Sequence, residues 1–372
     1  MKRLAATNVV AKAPQNKNAV KCRKWRPAVE HIGIDVHKRQ SQLYIVTEKG
    51  EVIEKRILTE RGRFSEVLGG RPQAKILLEA STESEWVARC LEELGHEVVV
   101  ADPNFAPMYG MRSRRVKTDK RDAQALADAC MTGTYRKAHR TSEIRRQLKA
   151  ELAVREALVR QRAKHIALVG ALVRQQGLRI ATGSADAFLT RLEKIGLTER
   201  MRSVVAPLVA VMRKLNEQIQ LLDAELEKLA SEDEQVARLC TMPGVGPVTA
   251  AALVAAIDDA KRFAGPHQVE AYLGLVPSEM SSGEKRRKGH ITKAGNPRMR
   301  SLLVGVAFSM MRLRKATTAT LWEWAMRIEV RRGRKVAAVA LARKLAGILY
   351  AMMRDGTNFK PCVRKEGMSS AA

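Results

Sequence analysis

Apolar positions along the chain follow two periods. Between residues 31 and 103 they form short β-branched runs. "HIGIDVH" and "QLYIVTE" are separated by a polar "KRQS" turn, and "GEVIEKRIL" follows a Lys-Gly turn. "AKILLEA" and "HEVVVADP" then flank "SEWVARCLEELG", which has helical spacing and a glycine stop. A meander followed by strand–helix–strand predicts an α/β unit with a mixed sheet. "DKRDAQALADACMTG" predicts a helix that ends near Gly133.

From Thr141 to Gln176 the period becomes helical, with Ile144, Leu148, Leu152, Arg155, Leu158, Arg162, Ile166, Val169 and Val173 at steps of three or four. "GLRIATGS" interrupts it. A second seam runs through Val204, Leu208, Val211, Leu215, Ile219, Leu222, Leu226 and Leu229, and Pro207 marks a start or a kink. The pair predicts an antiparallel helical hairpin or coiled coil. A third region, from "SEDEQVARLC" to "RKVAAVALARKLAGILYAMMR", reads as helical, with "VPSEMSSGEKRRKGHITKAGN" as a loop inside it. The expected organisation is a basic arm over 1–29, an α/β domain over 30–140, a helical hairpin over 141–233, a mainly helical C-terminal domain over 234–355 and a tail over 356–372.

Charge narrows the function. There are 67 Lys and Arg against 39 Asp and Glu, a formal net charge of +28 spread over the chain. Such an excess is self-repulsive unless a polyanion neutralises it, which points to nucleic acid. Aromatic residues make up only 4%, which disfavours a base-stacking platform. Five cysteines, an odd number without a CxxC pair, argue against a disulfide framework or a zinc knuckle. No run of consecutive apolar residues approaches a membrane span, and a cytoplasmic protein without a membrane partner is expected.

The candidate chemistry lies in four acids. Asp35 ends the apolar run "IGID" and Glu79 ends "ILLE", while Asp119 and Asp122 stand three apart on one face of a predicted helix. If the two strands are neighbours and the helix packs across their ends, four carboxylates converge. That is untenable without cations, and hard divalent ions, Mg²⁺ or Mn²⁺, are the natural partners. Arg112, Arg114, Arg115 and Lys117 stand where a phosphate backbone would enter. In "TMPGVGPVTAAALVAAI", Gly244 and Gly246 would allow a φ-positive turn that aims N–H groups at an anion, and the stretch resembles a helix-hairpin-helix element.

Taken in order, "GIDVHK", "LLEAS", "KTDKRDAQALA", "MPGVGPVTAAAL" and "YLGLVPSEMSSGEKRRKGHITKAGNPRMRSLL" are similar to the insertion-sequence transposases that join a RuvC-like DEDD domain to a C-terminal serine domain, relatives of the Piv-type DNA invertases. The resemblance spans residues 30 to 355 and implies an RNase H/RuvC-like N-terminal domain. It puts the four metal-binding, catalytic acids on Asp35, Glu79, Asp119 and Asp122. Its nucleophilic serine precedes a glycine five residues after the "GL-x-P" proline, which gives Ser282; a one-residue difference in loop length would give Ser281. Arg286, Arg287, Lys288, Lys293, Arg298 and Arg300 become candidate nucleic-acid contacts.

The resemblance further implies strand exchange through a phosphoserine link, donor and target DNA as substrates, and guidance by an element-encoded bridge RNA. Because the acids and Ser282 fall in different domains, a composite site in a dimer or tetramer is expected. Two rival readings stay open: a metal-dependent junction endonuclease that uses water, and a non-catalytic nucleic-acid-binding protein.

Overall fold

The computed structural model describes residues 29–110, 118–282 and 285–361, with backbone alone for 280–282 and 285–288. The chain divides into two compact units at the Arg140–Thr141 bond.

The first unit contains strands β1 (Glu30–Val36), β2 (Gln40–Val46) and β3 (Val52–Leu58), helix α1 (Arg61–Leu68), β4 (Ala74–Glu79), α2 (Ser84–Glu93), β5 (Glu97–Ala101) and α3 (Asp119–Thr132). Its sheet has the order β3-β2-β1-β4-β5. β1 runs antiparallel to β2 and parallel to β4, so the sheet is mixed, as the meander predicts. The period-2 alternation sorts side chains onto two faces. Ile32, Ile34, Leu43, Ile45, Ile76 and Leu78 join Phe64 and Leu68 of α1 and Val87 and Leu91 of α2 in one core. On the other face Leu77, Val99 and Ala101 pack against Leu126, Ala129 and Cys130 of α3.

Gly33 lets α3 lie directly on β1. A Cβ at this position would stand 2.1 Å from the carbonyl oxygen of Ala123 and 2.3 Å from the nitrogen of Ala127, both backbone atoms of α3. The start of the helix is fixed by Thr118, whose hydroxyl accepts from the Arg121 N–H at 3.4 Å. Its end is fixed by Gly133 in the left-handed region at φ 71°.

The second unit contains the long helices α4 (Glu143–Gln175) and α6 (Glu199–Glu232), joined through the short α5 (Phe188–Glu193), then α7 (Glu234–Cys240), α8 (Pro247–Ile257), α9 (Pro266–Tyr272), a β-hairpin of β6 (Pro277–Ser282) and β7 (Lys285–Ile291), α10 (Pro297–Leu313), α11 (Ala319–Arg332) and α12 (Arg334–Asp355). The helical pair is antiparallel, since Arg155 on α4 grips Asp223 on α6 while Arg162, a turn or two further on, reaches back to Asn216. The seam of α6 differs from the sequence expectation. Val205, Met212, Ile219 and Leu226 are the buried heptad positions, whereas Val204 and Val211 are exposed, as is Ile144 on α4. An unbroken seven-residue repeat including Met212 sets the helix rotation, one residue away from the valines. α6 also begins eight residues before Pro207, capped by Thr198, so Pro207 lies inside the helix. Arg162 occupies a buried seam position (8% exposed), where Asn216 and Asp186 satisfy its guanidinium.

The base of this pair is built into the C-terminal core. Leu148, Leu152 and Leu226 cluster with α8, which is buried from Thr249 to Ile257, and with the apolar face of α12. α12 is long and apolar enough to cross a membrane, with a mean hydropathy of 1.6 over its best window; 56% of that window is buried inside this unit. Arg343 and Lys344 interrupt its apolar run, which is why a count of consecutive residues passes over it. The segment read as a loop from its Ser, Gly and Lys-Arg content is the β6–β7 hairpin.

Gly33→Ala should force α3 off the sheet and lower the stability of the first unit by about 3 kcal/mol, the upper end for overpacking. Gly62→Ala, where an added Cβ meets nothing within 4 Å, should leave it unchanged or raise it slightly. Denaturant unfolding of the two variants checks the difference.

Candidate active site

β1 and β4 are parallel neighbours in the register Ile34↔Leu78, so the next positions, Asp35 and Glu79, stand side by side at the C-terminal end of the sheet. Both point to the face on which Gly33 admits α3. The first turn of that helix carries Asp119 and Asp122, where the positive end of the helix dipole favours carboxylates. Asp35 and Asp122 are buried, at 9% and 7% exposure.

Asp35 feels the other three acids. Burial is the main cause that raises the Asp35 carboxyl above its ordinary range; His37 opposes the shift, and the charges of Asp122, Asp119 and Glu79 add to it. The Tyr109 hydroxyl donates to Glu79 and orients it. His37, two residues beyond Asp35, comes between two of the acids: its Nε2 is 3.2 Å from Asp35 and 3.5 Å from Asp119. Arg56 on β3 lies 3.5 Å from the other oxygen of Asp119.

Asp35, His37 and Asp119 each bring one ligand atom within 4.8 Å of the other two, an arrangement that can hold a divalent metal ion. The donor set fits such an ion. Two carboxylates with one imidazole at this spacing suit a hard or borderline divalent cation. His37 was not among the sequence candidates. The signal was present in "GIDVHK", since Asp35 and His37 are two apart and a strand repeats every two residues.

In the second unit, Ser282 is the last residue of β6, opposite Lys285, and Ser281 pairs with Arg286. The side chains of Ser281, Ser282, Arg286, Arg287 and Lys288 lie outside the described residues, as do Gly283, the arm before residue 29, and Arg112, Arg114, Arg115 and Lys117.

The base of the hairpin is locked by two backbone approaches. A Cβ on Gly274 would lie 2.0 Å from the Ala294 carbonyl oxygen, and one on Gly295 would lie 2.0 Å from that of Tyr272; both glycines have positive φ. Thr292 donates its N–H to Val276 at 2.9 Å, and Lys293, itself at φ 56°, donates its N–H to Gly274 at 3.2 Å. The "YLGL" and "TKAG" stretches therefore form a clamp that fixes where the hairpin leaves the core.

Arg298 is turned inward, donating to the Leu152 carbonyl with Glu156 at 3.6 Å, and Arg300 donates to the Leu273 carbonyl at 3.1 Å. Both hold the start of α10 in place, so a phosphate contact by either would compete with these bonds. Of the two hairpin glycines before α8, Gly244 takes a positive φ of 89°, whereas Gly246 is extended at φ −98° and serves as the helix N-cap. A second φ-positive residue there is therefore not what the fold uses. Both glycines are exposed while the body of α8 is buried, so only the turn can meet a ligand.

Because burial and three like charges raise the Asp35 pKa, its ionisation opposes folding once pH rises above the ordinary carboxylate range. In chelator at neutral pH, Asp35→Asn should unfold at a higher temperature than the wild type. The gap should close as pH falls below the ordinary value of 3.8, where the wild-type carboxyl is protonated. Thermal unfolding across pH checks the sign.

Comparison with known proteins places this geometry. Residues 32–176 match a DEDD transposase family model of the IS110 type, and residues 236–323 match the model described as the transposase IS116/IS110/IS902 family. The chain is 30% identical over 340 residues to "Probable family 20 transposase" of Pseudomonas aeruginosa, an alignment covering 90% of this chain and 99% of that relative. It is 30% identical over 331 residues to the transposase for insertion sequence element IS1111A of Coxiella burnetii, covering 87% and 90%. It is 28% identical over 337 residues to the transposase for insertion sequence element IS1328 of Yersinia enterocolitica, covering 90% and 99%.

Proposed function

The chain belongs to the IS116/IS110/IS902 family of transposases, and from that premise we propose that it cuts and rejoins DNA through a covalent serine–phosphodiester link, with Mg²⁺ held by Asp35, Glu79, Asp119 and Asp122. The observation that carries the reading is the ligand spacing of Asp35, His37 and Asp119, beside an Asp35 carboxyl that burial raises first and the charges of Asp122, Asp119 and Glu79 raise further. A site that only stabilised the fold would not gather like charges in a half-buried pocket.

Mg²⁺ at such a group supplies Lewis-acid polarisation of a scissile phosphate and orients it. The protein residues do the rest. Glu79 is held by the Tyr109 hydroxyl. His37, whose Nε2 stands 3.2 Å from Asp35 and 3.5 Å from Asp119, serves as a fifth donor. The Ser282 hydroxyl loses its proton and its Oγ bonds to phosphorus, while the bond to one deoxyribose oxygen breaks and that oxygen takes up a proton. The strand is thereby left as a phosphoserine ester plus a free hydroxyl end. Attack by a hydroxyl end of another strand reverses the step, forms the new phosphodiester and releases the serine. The link conserves the energy of the broken bond, so no nucleotide cofactor is required.

Basic residues close to Ser282 in sequence, Arg286, Arg287 and Lys288, stabilise the charge that develops on the phosphate. Arg112, Arg114, Arg115, Lys117, Lys293 and the Gly244–Gly246 turn bind the backbone. An element-encoded guide RNA supplies sequence choice by base pairing; the net charge of +28 and the lack of a zinc-finger spacing in the sequence support this. Two to four protomers assemble to hold both duplexes.

The test is incubation with Mg²⁺, the element's RNA and end-labelled donor DNA, followed by denaturing electrophoresis. The wild type and Ser281→Ala should give a protein–DNA adduct, and Ser282→Ala and Asp122→Ala should give none. An adduct that survives in Ser282→Ala but not in Ser281→Ala would move the nucleophile by one residue. Cleavage without any adduct would establish water attack instead.

A further inference from the structure

We propose that the exposed corner where α11 turns into α12 is a docking surface for the backbone of duplex DNA. The proposal rests on the reading that this chain acts on DNA, and it adds a surface that lies outside the serine hairpin and the acidic group.

Arg331, Arg332, Arg334 and Lys335 crowd around Gly333, and all four are exposed. No ion pair among the described residues involves any of them; Arg331 donates Nε to the Arg327 carbonyl at 3.4 Å. From Val330 to Arg354 the chain carries seven basic residues and no acid. Val330, 88% exposed, and Val336, 47% exposed, stand among the cations and offer apolar contact to deoxyribose.

Helix electrostatics divides this group. Arg331 and Arg332 occupy the last turn of α11, where the negative end of the helix dipole favours them. Arg334 and Lys335 occupy the first turn of α12, which has no acidic residue and no side-chain cap. Cations there face the positive end of the dipole and the N–H groups of the first turn, the cap N–H of Gly333 being already donated to the Glu329 carbonyl at 2.8 Å. In the free protein that placement is unfavourable. Against a row of phosphates it becomes favourable, because the N–H groups and the side chains then act on the same anions. Between Trp324 and Gly356 there is no Asn, Gln, Ser or Thr. The corner's own side chains are thus cations and small apolar groups, which fits contact with the phosphate backbone.

The test uses the full-length protein in chelator, so that catalysis plays no part, with a fluorescent duplex DNA of random sequence titrated at several salt concentrations. Arg334→Gln/Lys335→Gln and Arg331→Gln/Arg332→Gln should each lower the slope of log K against log salt by about 1.8, two phosphate contacts' worth. Their effects on folding should have opposite signs: without DNA, the first pair should raise the unfolding temperature and the second should lower it. Lys194→Gln/Arg200→Gln, which removes the same charge from the other end of the helical pair, should leave the slope as in the wild type. Wild-type slopes in both corner variants, an equal loss in the control, or a loss seen only with duplex RNA would overturn the proposal. A wild-type chain that failed to bind duplex DNA at all would overturn the functional reading along with it.

Discussion

Like charges brought together out of water are the constraint around which the first unit is organised. A carboxylate at the end of a sheet, with three others close by, loses hydration and gains repulsion, and the upward shift of Asp35 is the direct expression of both. The fold accepts this through one small residue. With no side chain on Gly33, the backbone of α3 comes within contact of β1, and the first turn of that helix delivers Asp119 and Asp122 to the acids at the strand ends. The capping hydroxyl of Thr118 starts the helix at the required residue. His37 and Arg56 stand against Asp35 and Asp119. The ligand spacing of Asp35, His37 and Asp119 is the reason to assign a divalent ion to the group.

The second unit solves a different problem, which is to fix where a short polar hairpin leaves the core. The crossed glycines 274 and 295 let two backbone stretches touch where any side chain would collide. Arg298 and Arg300 then tie the start of α10 to carbonyl groups of α4 and of the residue before Gly274. Beneath them, α8 is buried along nearly its whole length. The serine strand therefore leaves a close-packed core, and its position is set by backbone contacts. The long helices α4 and α6 extend from the same core, with Arg162 paired to Asn216 and Asp186 in the seam, a polar layer that disfavours slippage of one helix along the other.

Much of this was legible in the order of residues, and the exceptions have physical causes. Strand-end acids following apolar runs, and two acids three apart at a helix start, were enough to single out Asp35, Glu79, Asp119 and Asp122 as candidates, of which Asp35 and Asp119 stand with His37 at ligand spacing. Single-residue function was harder to read. His37 has no pattern of its own, and only the strand period links it to Asp35. The β6–β7 hairpin escaped because "KRRKGHI" has no apolar alternation; its register comes from the glycine clamp, which is a tertiary feature. The α6 seam was read correctly at Ile219 and Leu226 but one residue early at Val204 and Val211, where the repeat uses Val205 and Met212. The α12 span escaped because two cations interrupt a run that is apolar on average. Gly244 and Gly246 look equivalent in sequence, yet only one adopts the left-handed backbone.

The central claim is that these acids form one metal-binding group. Calorimetric titration of Mn²⁺ into the full-length protein, compared with Asp35→Asn, Glu79→Gln, Asp119→Asn and Asp122→Asn, tests it most directly. The account predicts saturable binding by the wild type and at least about a tenfold loss of affinity in each variant, since a loss of that scale already follows when a residue that only orients a ligand is removed. Saturable binding that all four variants retain at wild-type affinity would contradict it.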